Sequence, residues 1–408
     1  MAEAAIEEKL PSGGLLQGHC VPGYEAVLEA FRANFSERAE VGASVCVTHR
    51  GRSVVDLWGG VAVAKTGMPW GRDTISIVFS CTKGAAALCA HMLIERGALR
   101  LHDDVGKIWP SFASHGKEGT TVANMLAHTS PVPHVRDPVP AGGFADFDYM
   151  VERVAAEPAW WEPGTRQGYH GVTYAWTVGN LVRLAAGRPR GEFFRAEIAE
   201  RLGLDFYIGL PESEEVRVAN LIAPDPAEMN LESKFTQAVM QPGSLTNLFL
   251  TNNGAADFNS REIHAAEIGS ANGMTNARGL ALLYAPLAHG GGGLVRPETV
   301  ARMSRVSAAT HLDATLQQPM RFGLGFMKST DNRAVRGDSL IIGEEAFGHV
   351  GMGGSVGFAD PEAELSFGYT MNRLGAGILL NARGQALVDA AYRSVGFTSD
   401  ASGAWRKD

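Results

Sequence analysis

Only four cysteines, at positions 20, 46, 81 and 89, stand in 408 residues, and none shares a C-x-x-C spacing with another. That scarcity predicts neither a disulfide framework nor a zinc site. Cys46 alternates with Val45 and Val47, and Cys89 sits in an apolar run, so both read as buried thiols. No apolar stretch reaches the roughly 18 residues of a membrane span. The net charge is −8 and no basic run occurs, which excludes nucleic acid as an expected partner. There is no internal repeat, no low-complexity tract and no H-E-x-x-H pair; His128 and His134 match no ligand spacing, and no metal or cofactor is expected. The leader MAEAAIEEKLPSGGLLQG is acidic and has no apolar h-region, so it does not read as a secretory signal; the expected location is cytoplasmic.

What the chain has is apolar bulk. It is 45% hydrophobic against 20% charged, enough for a large core in one large or two intimate domains. Residues 24–38 have helical periodicity. Residues 41–49 and 53–59 alternate as strands around the turn His49-Arg50-Gly51-Arg52, and 74–79 form another short β-rich run. Residues 84–94 carry no charge and end near Gly97, which predicts a buried helix. Helices are expected at 121–128, 146–156, 173–186, 277–288 and 383–394, and strands at 322–327, 357–359 and 365–371. The weakly patterned segment 230–270 reads as a substrate-side loop or lid. Glycines 290–293 read as a plain turn, because no strand precedes them and no Gly-Lys-Ser/Thr follows. Sheet signals lie at both ends and helix signals between them. The expected fold class is α/β of the α+β type: an antiparallel sheet flanked by helices, built from 1–79 and 271–408, with a mostly helical domain at 80–270 and an active site between the two.

The strongest chemical signal is Ser80-Cys81-Thr82-Lys83. A Ser and a Lys at i and i+3 share one helix face. Ser80 stands at the helix start, where N–H groups and the dipole favour developing negative charge. Lys83 enters an uncharged helix, and burial there lowers an amine's pKa, so that it can activate the Ser hydroxyl for acyl transfer. Cys81 points about 100° away and reads as a bystander. A second match, Ser114 to Lys117, is followed by Glu118-Gly119-Thr120 and reads as a solvated loop. Next come Glu162-Pro163-Gly164-Thr165 and Tyr169-His170-Gly171, a turn that presents a phenol just before a helix. A phenol beside an ammonium can pass a proton between nucleophile and leaving group. Trp160 and Trp161 precede this turn as core packing or pocket walls. The third signal is Phe347-Gly348-His349-Val350-Gly351-Met352-Gly353-Gly354-Ser355-Val356-Gly357, a Gly-rich strand edge that lets substrate approach the backbone. It also holds a literal G-x-S-x-G. A nucleophile elbow needs a helix after the serine, whereas here β-like residues and an Asp360-Pro361 turn follow, so Ser355 is not read as the nucleophile.

In that order, S-x-x-K, P-G-T then Tyr, and H-x-G resemble the serine β-lactamase and penicillin-binding-protein superfamily, with the closest likeness to class C β-lactamases and family VIII carboxylesterases. Smaller echoes are Thr121-Val122 through His128-Thr129-Ser130, Leu101 to Asp104 with Val105, and Asn272-Gly273-Met274 with Ala277 and Leu280. The likeness spans roughly residues 22–395. It implies Ser80 as acylated nucleophile, Lys83 as its activator, Tyr169 as general base then acid, and the N–H groups of Ser80 and Met352 as oxyanion hole. His349, Gly351 and His170 are the expected substrate contacts. The sequence also departs from the lactamase pattern. Gly171 stands where Tyr-x-Asn has its amide, and His349-Val350-Gly351 stands where Lys-Thr-Gly recognises a carboxylate; the literal Lys65-Thr66-Gly67 lies before the nucleophile and reads as a decoy. These departures fit a carboxylesterase acting on small esters. An acyltransferase, D-aminopeptidase, amidase or weak β-lactamase on the same residues is the alternative, and a non-catalytic penicillin-recognising binding protein the third reading. Homo-oligomerisation is left open.

Overall fold

The computed structural model describes residues 5–11 and 13–407; residues 1–4 and Ser12 of the acidic leader, and Asp408, lie outside it. The strands, in chain order, are β1 (Ile6–Lys9), β2 (Leu15–Cys20), β3 (Gly42–His49), β4 (Arg52–Val63), β5 (Met68–Pro69), β6 (Ser76–Ile77), β7 (Phe206–Tyr207), β8 (Met274–Thr275), β9 (Ala308–Thr310), β10 (Met320–Phe322), β11 (Phe347–Val350), β12 (Val356–Asp360) and β13 (Leu365–Met371). One antiparallel sheet runs β1-β2-β4-β3-β13-β12-β11, with β5 paired to β4. Its central join pairs Ala43 with Met371 and His49 with Leu365, so strands from the two ends of the chain meet side by side. β11 closes the sheet as an edge, paired only to β12 within that order.

Helices cover both faces. The helix Ala277–Ala288 lies across β3, β12 and β13. On the other face the helices Glu25–Glu37 and Ala382–Ser394 pack together, and Tyr392 stacks on Phe358 of β12 at 5.9 Å. With both faces covered, β13 is buried at every residue, and the apolar alternation read in 41–49 becomes a nearly continuous buried run in β3. In the middle of the chain the helix Tyr174–Ala186 packs against both Thr82–Glu95 and Phe147–Ala156. Thr82–Glu95 is buried from Thr82 to Leu93, the burial that its uncharged sequence demands. A small sheet, β6-β8-β7, stands directly before it.

Several expectations need correction. The polar leader contains β1 and β2: Leu16 is buried while β1 alternates half-buried and exposed, so the outer strand of the sheet carries a polar face that conceals its period. The strand expected at 322–327 ends at Phe322, and Met327 instead donates its N–H to the Gly348 carbonyl beside β11. Segment 230–270 holds three short helices, Lys234–Val239, Leu245–Thr251 and Arg261–Ala265. Each is capped by a serine whose hydroxyl accepts from the N3 amide: Ser233, Ser244 and Ser260. They are too short to show a period. The Ser114–Lys117 match is not a solvated loop at its lysine. Lys117 is buried, its Nζ donates to the Glu157 carbonyl at 2.6 Å, and it lies over the Phe112 ring.

Both ends of the chain are also tied by charge. Glu40 and Arg383 form a fully buried pair, Nη1 to Oε1 3.1 Å, and the Tyr369 hydroxyl donates to the same carboxylate. Arg383 donates a further bond to the Arg373 carbonyl. Removing one partner strands a buried charge. Glu40→Ala is expected to destabilise the fold by about 3–5 kcal/mol, read as the shift in a urea unfolding midpoint, while the folded fraction keeps its activity.

Candidate active site

The chain reaches Ser80 through a backbone contortion. Val78 donates its N–H to the Gly273 carbonyl at 2.9 Å, and Phe79 then takes φ +42°, the left-handed region that a bulky aromatic rarely enters. Such a residue costs on the order of 1–3 kcal/mol and persists only where packing holds it. Here the Phe79 ring packs on Phe258, centroids 5.3 Å apart. Ser80 emerges half-buried, two residues before the helix Thr82–Glu95.

Lys83, one turn on, is completely buried. Its Nζ makes three bonds: to Ser80 Oγ at 3.0 Å, to the Gly171 carbonyl at 2.6 Å and to the Ser270 carbonyl at 2.9 Å. Burial pushes this amine well below its ordinary range. Both carbonyls only accept. When Lys83 is neutral they consume its two N–H groups and leave its lone pair facing the Ser80 hydroxyl.

Tyr169 completes the centre. Lys83 Nζ lies 4.8 Å from its ring centroid. The hydroxyl is buried and has no hydrogen-bond partner of good geometry among the described residues. Burial raises its pKa, and the nearby Ser80 side chain opposes that shift. The residue is held from behind by Asp313, whose buried carboxylate accepts the N–H groups of Tyr169, Thr315 and Leu316, each at 2.9 Å. Nothing in the sequence pointed to Asp313, which lies in an irregular segment far along the chain and carries no local motif.

Around Tyr169 stand three buried imidazoles. His349 lies 6.1 Å away, ring to ring, and His128 5.0 Å; His170 meets His128 at 5.6 Å rather than Tyr169 itself. Burial depresses all three, His349 to about 3 and His170 to about 4, so they are neutral at physiological pH. Gly171 has no room for a side chain: a Cβ there would overlap the Phe249 ring, which meets Tyr169 edge-on. Phe249 belongs to the helix Leu245–Thr251 of the segment expected to border the substrate. Trp160 and Trp161 donate to the carbonyls of His134 and Thr129 and brace the 128–136 loop.

The strand edge arrives from the other side. Gly351 leaves β11 so close to Val78 that a Cβ would strike the Val78 carbonyl and Ser355 Oγ. Ser355 is buried, donates to the Val78 carbonyl at 3.0 Å and runs straight into β12, without the helix an elbow requires. Its hydroxyl ties the turn to the segment before Ser80. Cys81 Sγ adds a bond to the His349 carbonyl. Met352 sits in this turn, and its N–H donates to no protein acceptor among the described residues. It also lines an apolar cavity of about 240 Å³, walled by Leu374, Ile378, Phe235, Val239 and Leu250. Among the described residues no cluster of three or more His, Cys, Asp or Glu is placed to hold a metal, and no helix is long and apolar enough to cross a membrane.

The family model described as Beta-lactamase matches residues 28–391. A curated relative, "Esterase/beta-lactamase LipL" of Mycobacterium tuberculosis (strain ATCC 25618 / H37Rv), is 31% identical over 89% of this chain and 84% of its own. A penicillin-binding-protein homologue from Caulobacter crescentus superposes with a TM-score of 0.84 at 34% identity, covering 93% of this chain and 99% of that one. A family VIII carboxylesterase superposes at 0.81 with 36% identity, over 93% and 99% of the two chains. The chain belongs to the beta-lactamase family and is a hydrolase of the esterase/β-lactamase type.

Proposed function

We propose that this enzyme is a serine carboxylesterase that cleaves small carboxylic esters through an acyl-enzyme on Ser80. The observation that carries this reading is the threefold anchoring of Lys83, which turns a neutral amine's lone pair toward Ser80 Oγ. Lys83, coupled to Tyr169, takes the Ser80 proton as Oγ attacks the ester carbonyl. The tetrahedral oxyanion is received by the N–H groups of Ser80 and Met352, the second of which has no competing protein acceptor. Tyr169 returns the proton to the departing alcohol, and water then enters by the reverse path. The neutral wall at His349 and the filled space at Gly171 offer no cation or amide to a β-lactam, which favours the esterase over the lactamase. The apolar cavity beside Met352, of about 240 Å³, is on this reading the acyl-chain site.

Mass spectrometry after fluorophosphonate labelling tests the nucleophile. An adduct on the Ser80 peptide is expected in wild type and in Ser355→Ala, and none in Ser80→Ala; an adduct on Ser355 would overturn the reading. The pH profile tests the base. The neutral amine is the competent form, so kcat/KM is expected to rise with pH and to reach its plateau well below 10.5, the ordinary amine value, because burial lowers Lys83. The histidines add no limb between pH 5 and 8. Lys83→Arg, which cannot lose its proton, is expected to be inactive across the range.

Acyl-chain length tests the cavity. Ala376 lies on its wall, and Ala376→Phe is expected to shorten it by about two methylenes, at about 0.8 kcal/mol each. The ratio of kcat/KM for p-nitrophenyl hexanoate over acetate should then fall about fifteenfold. An unchanged ratio would place the acyl chain elsewhere.

A further inference from the structure

His349 and Tyr169 are left with complementary unmet needs. The His349 Nδ1 lies 2.8 Å from the Val350 carbonyl, which can only accept, so Nδ1 carries the proton. A neutral ring then presents Nε2 as a lone pair, and this buried nitrogen has no donor among the described residues. The Tyr169 hydroxyl, beside the same ring, is also buried, and apart from the nearby Ser80 side chain it has no partner among the described residues. The other two imidazoles are placed differently. His128 accepts the His170 N–H on Nδ1 and therefore bears its proton on Nε2, enclosed by the rings of Tyr169, Tyr174 and Phe322. His170 is locked in the same tautomer as His349 by the Gly168 carbonyl, but its ring meets His128 and not Tyr169. Only His349 lies on the strand that leads into the Met352 turn.

We propose that His349 Nε2 holds the deacylating water together with Tyr169, and so selects water over alcohols as the acyl acceptor. The proposal rests on the Ser80 acyl-enzyme of the preceding section. Water has two hydrogens. One O–H points at the Tyr169 oxygen, left as a phenolate beside the Lys83 ammonium once Tyr169 has protonated the alcohol, and that oxygen takes the proton; the other is accepted by Nε2 and stays on the oxygen. The water oxygen forms a bond to the acyl carbon, the bond from that carbon to Ser80 Oγ breaks, and Oγ recovers its proton from the Lys83 ammonium, which restores neutral Lys83 and the Tyr169 hydroxyl. The products are the free acid and Ser80 in its starting form, with no further reactant. An alcohol has a single O–H. If Tyr169 takes it, Nε2 faces carbon and remains unsatisfied, and a buried polar atom without a partner is costly. A substrate carboxylate placed there is repelled, acceptor against acceptor. The depressed basicity of His349 fits a group that orients water without removing its proton.

The test is nucleophile partition with p-nitrophenyl butyrate in aqueous methanol, scoring butyrate against methyl butyrate, with stopped-flow resolution of the nitrophenol burst. Wild type is expected to yield chiefly acid. His349→Phe is expected to keep its burst rate within about twofold, to slow hydrolytic turnover at least tenfold, and to raise the methanol-to-water partition at least tenfold. His349→Gln, whose amide oxygen can accept in place of Nε2, should return the partition to within about threefold of wild type. Should the Phe variant fail to fold, His349→Leu is read the same way. An unchanged partition in a folded variant overturns the proposal, and so does a burst that slows in step with turnover, which marks a role in acylation or structure. Failure of the preceding reading looks different: no label on Ser80 of the wild type, whatever the partition.

Discussion

Lys83 places an amine where water does not reach, and the site is organised around satisfying it. An isolated ammonium in such surroundings costs several kcal/mol. The chain answers with three partners drawn from three places: the hydroxyl one turn earlier, the carbonyl two residues after Tyr169, and the Ser270 carbonyl just before β8. Because the amine needs all three, the Tyr169 turn and the entry to β8 must both come to the start of the helix Thr82–Glu95. The same bonds that satisfy the amine set its direction. Two carbonyls that cannot donate leave one orientation for a lone pair, and it faces Ser80.

The remaining wall is the edge of the sheet. β11 has a neighbour on one side within the main sheet, and its continuing turn is drawn onto the segment preceding Ser80 by Ser355 and by the thiol of Cys81. A serine that imitates a nucleophile motif is thus a tether, and a cysteine adjacent to the candidate nucleophile is part of the same seam. The absence of a side chain at Gly351 is what permits that seam to close. Across it, the strained backbone at Phe79 is held by aromatic packing from Phe258, a residue of the segment that sequence patterning left as an irregular loop.

Electrostatically the centre is sparse. Lys83 sits among neutral rings, each imidazole fixed in a tautomer by a backbone group. Recognition through a permanent cation is absent from this wall, and the space that an amide at position 171 would fill belongs to Phe249. The site therefore presents lone pairs and apolar volume rather than charge. That gives the position of each hydrogen more weight than the position of each charge.

Ser80, Lys83 and the uncharged helix behind them were legible in the sequence because an i,i+3 pair and an apolar run are local patterns that a helix converts directly into geometry. The sheet built from both termini was legible for a similar reason, since β3 and β13 carry short runs of alternating apolar residues, as in Leu365, Phe367, Tyr369 and Met371. β1 and β2 were hidden by the polar face of an outer strand, and the serine-capped helices of 230–270 by being shorter than the period that would reveal them. The burial of Lys117 was missed because its acceptor, the Glu157 carbonyl, is remote in sequence. What the sequence by itself determined was the Ser80–Lys83 spacing and the alternation of strand and helix. Tertiary structure alone decided that Asp313 holds Tyr169, that Ser270 and Gly171 receive Lys83, that Phe249 excludes a side chain at 171, and that His349 presents a lone pair. Each of these is a contact between segments distant in sequence, and a carbonyl or a ring acquires such a role only from what folding sets beside it.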